Sequence, residues 1–348
     1  YSQSTIVSSS ILAKKFGIQN SNNLEHISST RITHFLSTAE DENKILIMIT
    51  DSESMTKWNI HALEQADVII VAINFEDQPY SPQALELKIM NQELKTTREI
   101  VFLHSHSTKQ IRNTKQWLQS RKGYHMHFHV RCDESFFDYA TSNSDKIESC
   151  SHIGRLARYL TGKTVGIACG GGGAKGFAHL GVLKAFSESN IPIDMITGTS
   201  MGAFLGGLWA MCEDLEEVYR QTTEAVNYSK SWLIYCFDLT LPVVSIFTGR
   251  QFGYILKQVF GDCNLEDFWT PYMCVTTDLT EECGKAHNFG SAALFIQASM
   301  TLIGYVPPVS DPSNNHLLVD GGYTNNVPGI FLINSSSFYF FLYKDIIL

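Results

Sequence analysis

The chain has 348 residues, 44% hydrophobic and 18% charged, enough apolar material for about two buried cores. Its 24 glycines and 9 prolines exclude collagen-like and low-complexity classes. Lys and Arg number 26 against 35 Asp and Glu, a net charge of −9, which argues against a nucleic-acid binder and against wholesale electrostatic docking on anionic lipid. The 8 cysteines include no CxxC pair. None stands with histidines at zinc-site spacing, so free thiols in a reducing compartment are expected. No run reaches the ~18 apolar residues of a membrane span, and no secretory signal is visible. The chain begins with Tyr1, as expected of a piece of a longer protein.

In chain order, residues 1–40 are polar, with one amphipathic helix expected around Leu24–Leu36. Four apolar runs then read as strands: Ile45–Thr50, Val68–Asn74, Glu99–His104 and His125–Arg131. Helical stretches separate them, over Trp58–Ala66, Pro82–Lys95 and Thr108–Arg121. This alternation implies βαβ units and a parallel sheet covered on both faces. The polar stretch Asp133–Ser151 reads as a linker or exposed loop, which places a soft domain boundary near residue 150. The second half repeats the logic: a strand over Thr164–Cys169, a glycine run, a helix over Phe177–Ser189, a strand over Ile193–Thr197, and a helix over Ala203–Cys212.

Two glycine-rich junctions in that unit carry chemistry. Gly171, Gly173 and Gly176 fit GxGxxG between strand and helix. A dinucleotide site would need an acid at the end of the next strand, whereas Asp194 stands at its beginning. A P-loop needs Ser or Thr after the lysine, and Lys175 is followed by Gly176. An oxyanion hole, with amides pointing at one spot beside a helix N-terminus, and a merely tight turn both fit. Gly198-Thr199-Ser200-Met201-Gly202 matches GxSxG at a strand-to-helix turn, the setting of a nucleophile elbow. Both loops leave the same edge of neighbouring parallel strands, so the glycine amides can face Ser200. His287 and His316 follow Ser200 and either could complete a triad. A better partner is Asp320, at the end of the apolar run Leu317-Leu318-Val319 and followed by Gly321 and Gly322. There it could take the Ser200 proton directly; as plain turn chemistry, Asp-Gly is also common.

Three segments together, Gly171-Gly172-Gly173-Ala174-Lys175-Gly176, Gly198-Thr199-Ser200-Met201-Gly202 and Asp320-Gly321-Gly322, resemble the patatin-like phospholipases. The stretches LARYLTGKTVGIACGGGGAKGFAHLGVLKAF, VTTDLT at 275–280, ASMTLIGYVPP at 298–308 and HLLVDGGYTNNVP at 316–328 look closer still to the catalytic region of the neuropathy target esterase family. The resemblance covers about 155–328 strongly and 40–135 weakly. It implies a three-layer α/β hydrolase domain over 151–348 with a mainly parallel sheet, preceded by a smaller α/β module over 1–150. It implies a Ser–Asp dyad, with Ser200 the nucleophile and Asp320 the proton acceptor. Gly171, Gly172, Gly173, Ala174, Lys175 and Gly176 would form the oxyanion hole. Gly198, Thr199, Met201 and Gly202 would form the elbow, and Gly321 and Gly322 the proton-acceptor loop. The implied reaction is hydrolysis of the acyl ester of a lysophospholipid or related glycerophospholipid, with no metal, organic cofactor or nucleic acid. The implied setting is the cytoplasmic face of the endoplasmic reticulum membrane. After Pro328 the tail departs from the family, which continues with a helix and a core strand. Loss of that strand would leave an unpaired edge near Asp320 and motivates an alternative, a catalytically silent interaction or regulatory module.

Three further features stand out. His125, His127 and His129 alternate along a strand and share a face, as strand packing or as metal ligands. Tyr228–Phe247 is rich in large apolar groups, as core or as an acyl-chain wall or interfacial cap. Asn325 and Asn326 read as turn residues or as side chains holding the Asp320 loop.

Overall fold

The computed structural model describes residues 4–17, 27–51, 56–76, 81–82, 84–91, 96–132, 151–229, 238–241, 244–333 and 339–341. Most of the stretch at 133–151 expected as a linker lies outside them. The chain divides into two units, Tyr1–Phe102 with Gln116–His127, and Leu103–Lys115 with Phe128–Leu348.

The first unit opens with strand β1 (Ser4–Ser8) and helix α1 (Ser9–Lys15), neither of which the polar composition of residues 1–40 announced. Ser8 ends the strand and caps the helix, its side chain accepting from the Ile11 amide. Helix α2 (Ser29–Glu42) lies C-terminal to its expected start. It is followed by β2 (Ile45–Ile49), and β1 and β2 pair in parallel. Val7, Leu12, Ile32, Leu36 and Trp58 form the buried cluster there, Trp58 coming from α3 (Lys57–Gln65). Strands β3 (Val68–Asn74), β4 (Thr97–His104) and β5 (Met126–Arg131) make a three-stranded sheet in that order. Helix α4 (Ala84–Asn91) follows β3. Its Glu86 takes the Arg121 guanidinium in a buried two-pronged ion pair, at 2.7 and 3.1 Å. The helix expected over Thr108–Arg121 is confined to α5 (Thr114–Gln119). The Thr114 amide donates to the buried Asp267 carboxylate at 3.0 Å, and Asn113 before it sits at φ 69°, so the chain turns into the helix only there.

The second unit is built on one sheet. Helix α6 (His152–Leu160) precedes β6 (Val165–Cys169). A 3-10 turn at Gly173–Phe177 leads into α7 (Ala178–Glu188), then β7 (Met195–Thr199) and α8 (Met201–Cys212). Strand β7 runs two residues further than expected, through Gly198 and Thr199 up to the nucleophile candidate. Helices α9 (Leu215–Ser229) and α10 (Arg250–Phe260) lead to β8 (Tyr272–Asp278) and β9 (Cys283–His287). Helix α11 (Ala292–Ser299), β10 (Val309–Ser310), β11 (Leu317–Asp320), α12 (Gly329–Ile333) and β12 (Tyr339–Phe341) complete it. Strands β12, β6, β7 and β8 pair in parallel; β9, β11 and β10 add on antiparallel.

Successive strand residues face opposite ways, which gives three layers. Ile196 of β7 lies under Gly206 of α8, and the Tyr272 hydroxyl donates to the Ala203 carbonyl on the same face. Gly166, next to Ile167 on β6, lies under Leu332 of α12 on the other. Ile167, Ile196, Leu205, Leu208, Phe260 and Ile296 anchor the main core. A helix and a strand therefore do follow Pro328. The strand sits beside β6, not at an edge near Asp320, which corrects that expectation.

Candidate active site

The site starts from one edge of β8. Val275 pairs with both Thr199 of β7 and Ala286 of β9; Thr276 pairs with both Asp320 of β11 and Lys285 of β9. Strands β7 and β11 must then share the edge of β8 that β9 leaves open. They run toward each other along it and stop tip to tip, at Thr199 and Asp320. Each turns away where they meet.

Ser200 makes the first turn. Its backbone is at φ 53°, ψ −123°, left-handed and strained for a residue with a Cβ. The strain is held from two sides. Its amide donates to Ser299 Oγ at 2.9 Å, and Ser299 donates to the Val275 carbonyl at 2.6 Å. Its carbonyl accepts the Ala203 and Phe204 amides that open α8, at 2.9 and 3.1 Å. The flanking glycines are required by contact. A Cβ on Gly198 would lie 2.4 Å from the Gly202 carbonyl oxygen, and one on Gly202 would lie 2.2 Å from that of Cys169.

Asp320 makes the second turn. Its amide donates to the Thr301 carbonyl at 2.8 Å, and its carbonyl accepts Thr277 Oγ1 at 2.9 Å. Its carboxylate is buried and accepts the Gly322 amide at 2.7 Å. Burial pushes its pKa above the usual carboxylate value, and the neighbouring Ser200 side chain and the Gly322 amide pull the other way. Gly321 passes so close to β8 that a Cβ would lie 2.4 Å from the Val275 carbonyl oxygen.

The glycine run lies against this pair. A Cβ on Gly171 would meet Ser200 Cβ at 2.9 Å and Asn326 Oδ1 at 2.8 Å. The Gly171 amide donates to the Asn326 carbonyl at 3.2 Å, so it is engaged within the protein. Gly172 and Gly173 open the 3-10 turn, where amides have no partner within the turn itself. Ala174 and Lys175 are exposed, and the Lys175 amide donates to the Gly172 carbonyl at 3.1 Å. Gly176 is buried where a Cβ would lie 2.4 Å from Met201 Cγ. His179 Nε2 and the Gly170 carbonyl are 2.8 Å apart, which pins the start of the loop.

Asn325 and Asn326 hold the Asp320 loop as follows. The Asn325 carbonyl accepts Thr199 Oγ1 at 3.0 Å, and Asn326 Nδ2 donates to the Gly171 carbonyl at 3.3 Å. Backbone as much as side chain thus ties the three segments together.

Other candidates go elsewhere. His287 Nε2 lies 2.7 Å from Thr276 Oγ1 with its ring stacked on Phe295, and burial lowers its pKa to about 4. His316 Nδ1 is 2.8 Å from Asp278. Both imidazoles are thus engaged with Thr276 and Asp278, while Asp320 is the group that β11 brings to the tip of β7. Asp194, the acid weighed for a dinucleotide ribose, takes Arg158 in two bonds of 2.8 and 2.6 Å and the Val165 amide at 2.9 Å. His125 is exposed near Glu99, His127 packs edge-on to Phe102, and His129 is buried with His104 at 2.8 Å. Trp232, Leu233, Ile234, Tyr235, Phe237 and Val243 of the apolar stretch lie outside the described residues. Ser299 and Thr301 were not singled out from sequence, although both stand in the stretch ASMTLIGYVPP.

Residues 167–330 match the family model of patatin-like phospholipases, and residues 3–158 match that of the neuropathy target esterase family P-loop like domain. The glycine run thus falls in the phospholipase match. The chain is 36% identical over 334 residues to neuropathy target esterase sws of Drosophila sechellia, spanning 93% of this chain and 22% of that protein. Against the Drosophila melanogaster protein the figures are 36% over 333 residues, 92% and 23%. The chain spans under a quarter of the length of these relatives. VipD from Legionella pneumophila, a solved structure, is similar over 51% of this chain and 49% of its own, at 13% identity and a TM-score of 0.33. The chain therefore carries a patatin-like phospholipase domain over the segments that meet at β8, preceded by a neuropathy target esterase P-loop like domain.

Proposed function

We propose that this chain is a serine esterase that removes the fatty acid from a lysophospholipid, such as lysophosphatidylcholine, or a related glycerophospholipid. Ser200 and Asp320 act as a dyad within a catalytic domain over 151–348, and residues 1–150 form a separate module. The observation that carries this reading is that β7 and β11 end tip to tip on one edge of β8, at Thr199 and Asp320, which sets Ser200 at its strained turn beside the buried Asp320 carboxylate. The strained elbow and glycine loop at the same place support it. The patatin-like phospholipase match supports the coarser statement, a lipid ester hydrolase.

Asp320 accepts the Ser200 proton as Oγ attacks the acyl carbonyl. The oxyanion forms against the amides of Gly172 and Gly173, with Ala174, Lys175 and Gly176 shaping the turn that presents them. Gly171 serves as backbone support through Asn326. Loss of one oxyanion donor costs roughly 10²–10³ in rate. The glycerol oxygen leaves with the proton held by Asp320. Water then gives its proton to Asp320 as it attacks the acyl-enzyme, releasing the fatty acid and restoring Ser200. A carboxylate whose pKa is raised by burial is the stronger base for both steps.

A fluorophosphonate probe tests the dyad without a choice of substrate. One adduct per chain on Ser200, lost in Ser200→Ala and slowed at least ~100-fold in Asp320→Asn, is expected. Turnover of lysophosphatidylcholine by the wild type then tests the substrate class. A folded chain with no adduct would sink the proposal and favour the silent module. The parent protein would hold this site at the cytoplasmic face of the endoplasmic reticulum.

A further inference from the structure

The apolar rim beside Asp320 has the make-up of a lipid-docking surface. Residues 238–241 and 244–249 run back alongside each other as the two arms of a hairpin: Leu239 bridges Phe247, the Thr240 amide donates to the Ile246 carbonyl at 2.9 Å, and the Thr248 amide to that of Asp238 at 2.7 Å. The base is fixed by buried Asp238, which accepts the Thr248 hydroxyl and, at 3.1 Å, the Gly249 amide. The described apolar side chains of the two arms are open. Leu241 is 83% exposed, Val244 68% and Leu239 55%.

This hairpin is joined to the site by backbone. The Ile246 and Phe247 amides donate to the carbonyls of Gly304 and Tyr305, at 3.0 and 2.8 Å. That segment also exposes Leu302, Ile303 and Tyr305. Its Ile303 amide donates to the Tyr323 hydroxyl at 3.1 Å, and its Thr301 carbonyl takes the Asp320 amide at 2.8 Å. From residue 239 to 249, 300 to 310 and 321 to 329 there is no Asp, Glu, Lys or Arg. Isolated exposed apolar residues need no explanation, but a joined, uncharged set beside one site does.

We infer that Leu239, Leu241 and Val244, with Leu302, Ile303 and Tyr305, dock the catalytic unit on an electrically neutral lipid surface, so that an ester can pass to Ser200 without crossing water. The occupant follows from two observations. The rim is continuous with the Asp320 loop, and it offers branched aliphatic groups and a tyrosine with no charge to pair, on a chain of net charge −9. Attachment is therefore by burial of apolar groups at the headgroup boundary, not by attraction to anionic headgroups. The inference rests on the proposed esterase reading for its substrate, but its test does not.

The 348-residue chain is floated with phosphatidylcholine vesicles, as wild type and as Ser200→Ala, so that binding is read without turnover. Both should co-float, unaffected by NaCl between about 0.05 and 0.5 M. Leu241→Glu with Val244→Glu should lower partitioning at least ~10-fold, and Leu302→Glu should lower it ~3-fold or more. Ile191→Glu, an exposed apolar position ahead of β7, should bind as wild type. Thermal unfolding of each variant checks the fold, and these side chains are exposed enough to be replaced without disturbing it. The inference is overturned if the wild type does not float, if the hairpin and Ile191 variants bind alike, or if salt strips the protein from the vesicles. A lipid-free dimer that the hairpin substitutions dissociate would also overturn it, in favour of a second copy. Vesicle binding without a Ser200 adduct would sink the esterase reading alone.

Discussion

Ser299 is fully buried, and its hydroxyl does two things at once: it accepts the Ser200 amide and donates to β8. Removing it strands a donor at the most strained residue of the site. Ser299→Ala should leave the fold intact and lower kcat by ~10–100-fold with little change in KM, from ~1–3 kcal/mol of lost positioning. Steady-state kinetics with a soluble ester would measure it. Asp320 carries a second tension. Burial raises its pKa, so its contribution to stability is present when it is protonated and lost as pH rises through that value. At neutral pH its ionised form weighs against folding. Asp320→Asn should therefore abolish turnover while raising Tm by roughly 2–4 °C, as calorimetry would read. For the same reason the acid limb of the rate should lie above the pKa of an ordinary aspartate, since the working form is the carboxylate and falling pH removes it. A pH–rate profile whose acid limb sits at or below the ordinary value would contradict this.

At the scale of elements, the elbow depends on how closely α8 approaches the end of β6. Gly202→Ala would place a methyl 2.2 Å from the Cys169 carbonyl oxygen, so α8 must shift or the unit fails to fold. Little soluble protein is expected from that variant, and what there is should show no probe labelling. In the first unit the Arg121 guanidinium is buried with Glu86 as its partner on α4. Glu86→Ala should cost ~3–5 kcal/mol by leaving that charge buried and uncompensated, measurable by urea titration of the full chain. These elements also mark what sequence could and could not disclose. The elbow was legible because its glycines, serine and flanking strand and helix are contiguous. Asp320 was legible because an apolar strand ending in Asp-Gly-Gly has a local pattern. Ser299 was not, since its role exists only where α11 returns to β8. The start of the chain misled because Ser-Thr-Ile-Val-Ser is short and half polar, and pairs with a strand some forty residues away. The short α5 was missed because its start is set by a carboxylate far along the chain.

At the scale of the molecule, a smaller and a larger unit divide the sequence; the phospholipase match lies wholly in the larger one, while the P-loop-like match covers most of the smaller one and runs on into the larger. The α/β class read from the alternating strands and helices agrees with the architecture. Less visible was the antiparallel flank, because nothing in β9 or β11 by itself states the direction in which it will pair. That flank matters, since it delivers Asp320 to the tip of β7. Strand pairing moves in steps of two residues if the buried faces are to be kept. One such slip of β11 along β8 would carry Asp320 away by ~7 Å, beyond reach of Ser200. The adjacency of the two side chains is thus a built-in gauge of register, accurate to a single pairing step. Probe labelling of Ser200 during a denaturant titration should fall with the same midpoint as the loss of the sheet seen by circular dichroism. No partly slipped form with an intact sheet signal should keep its reactivity.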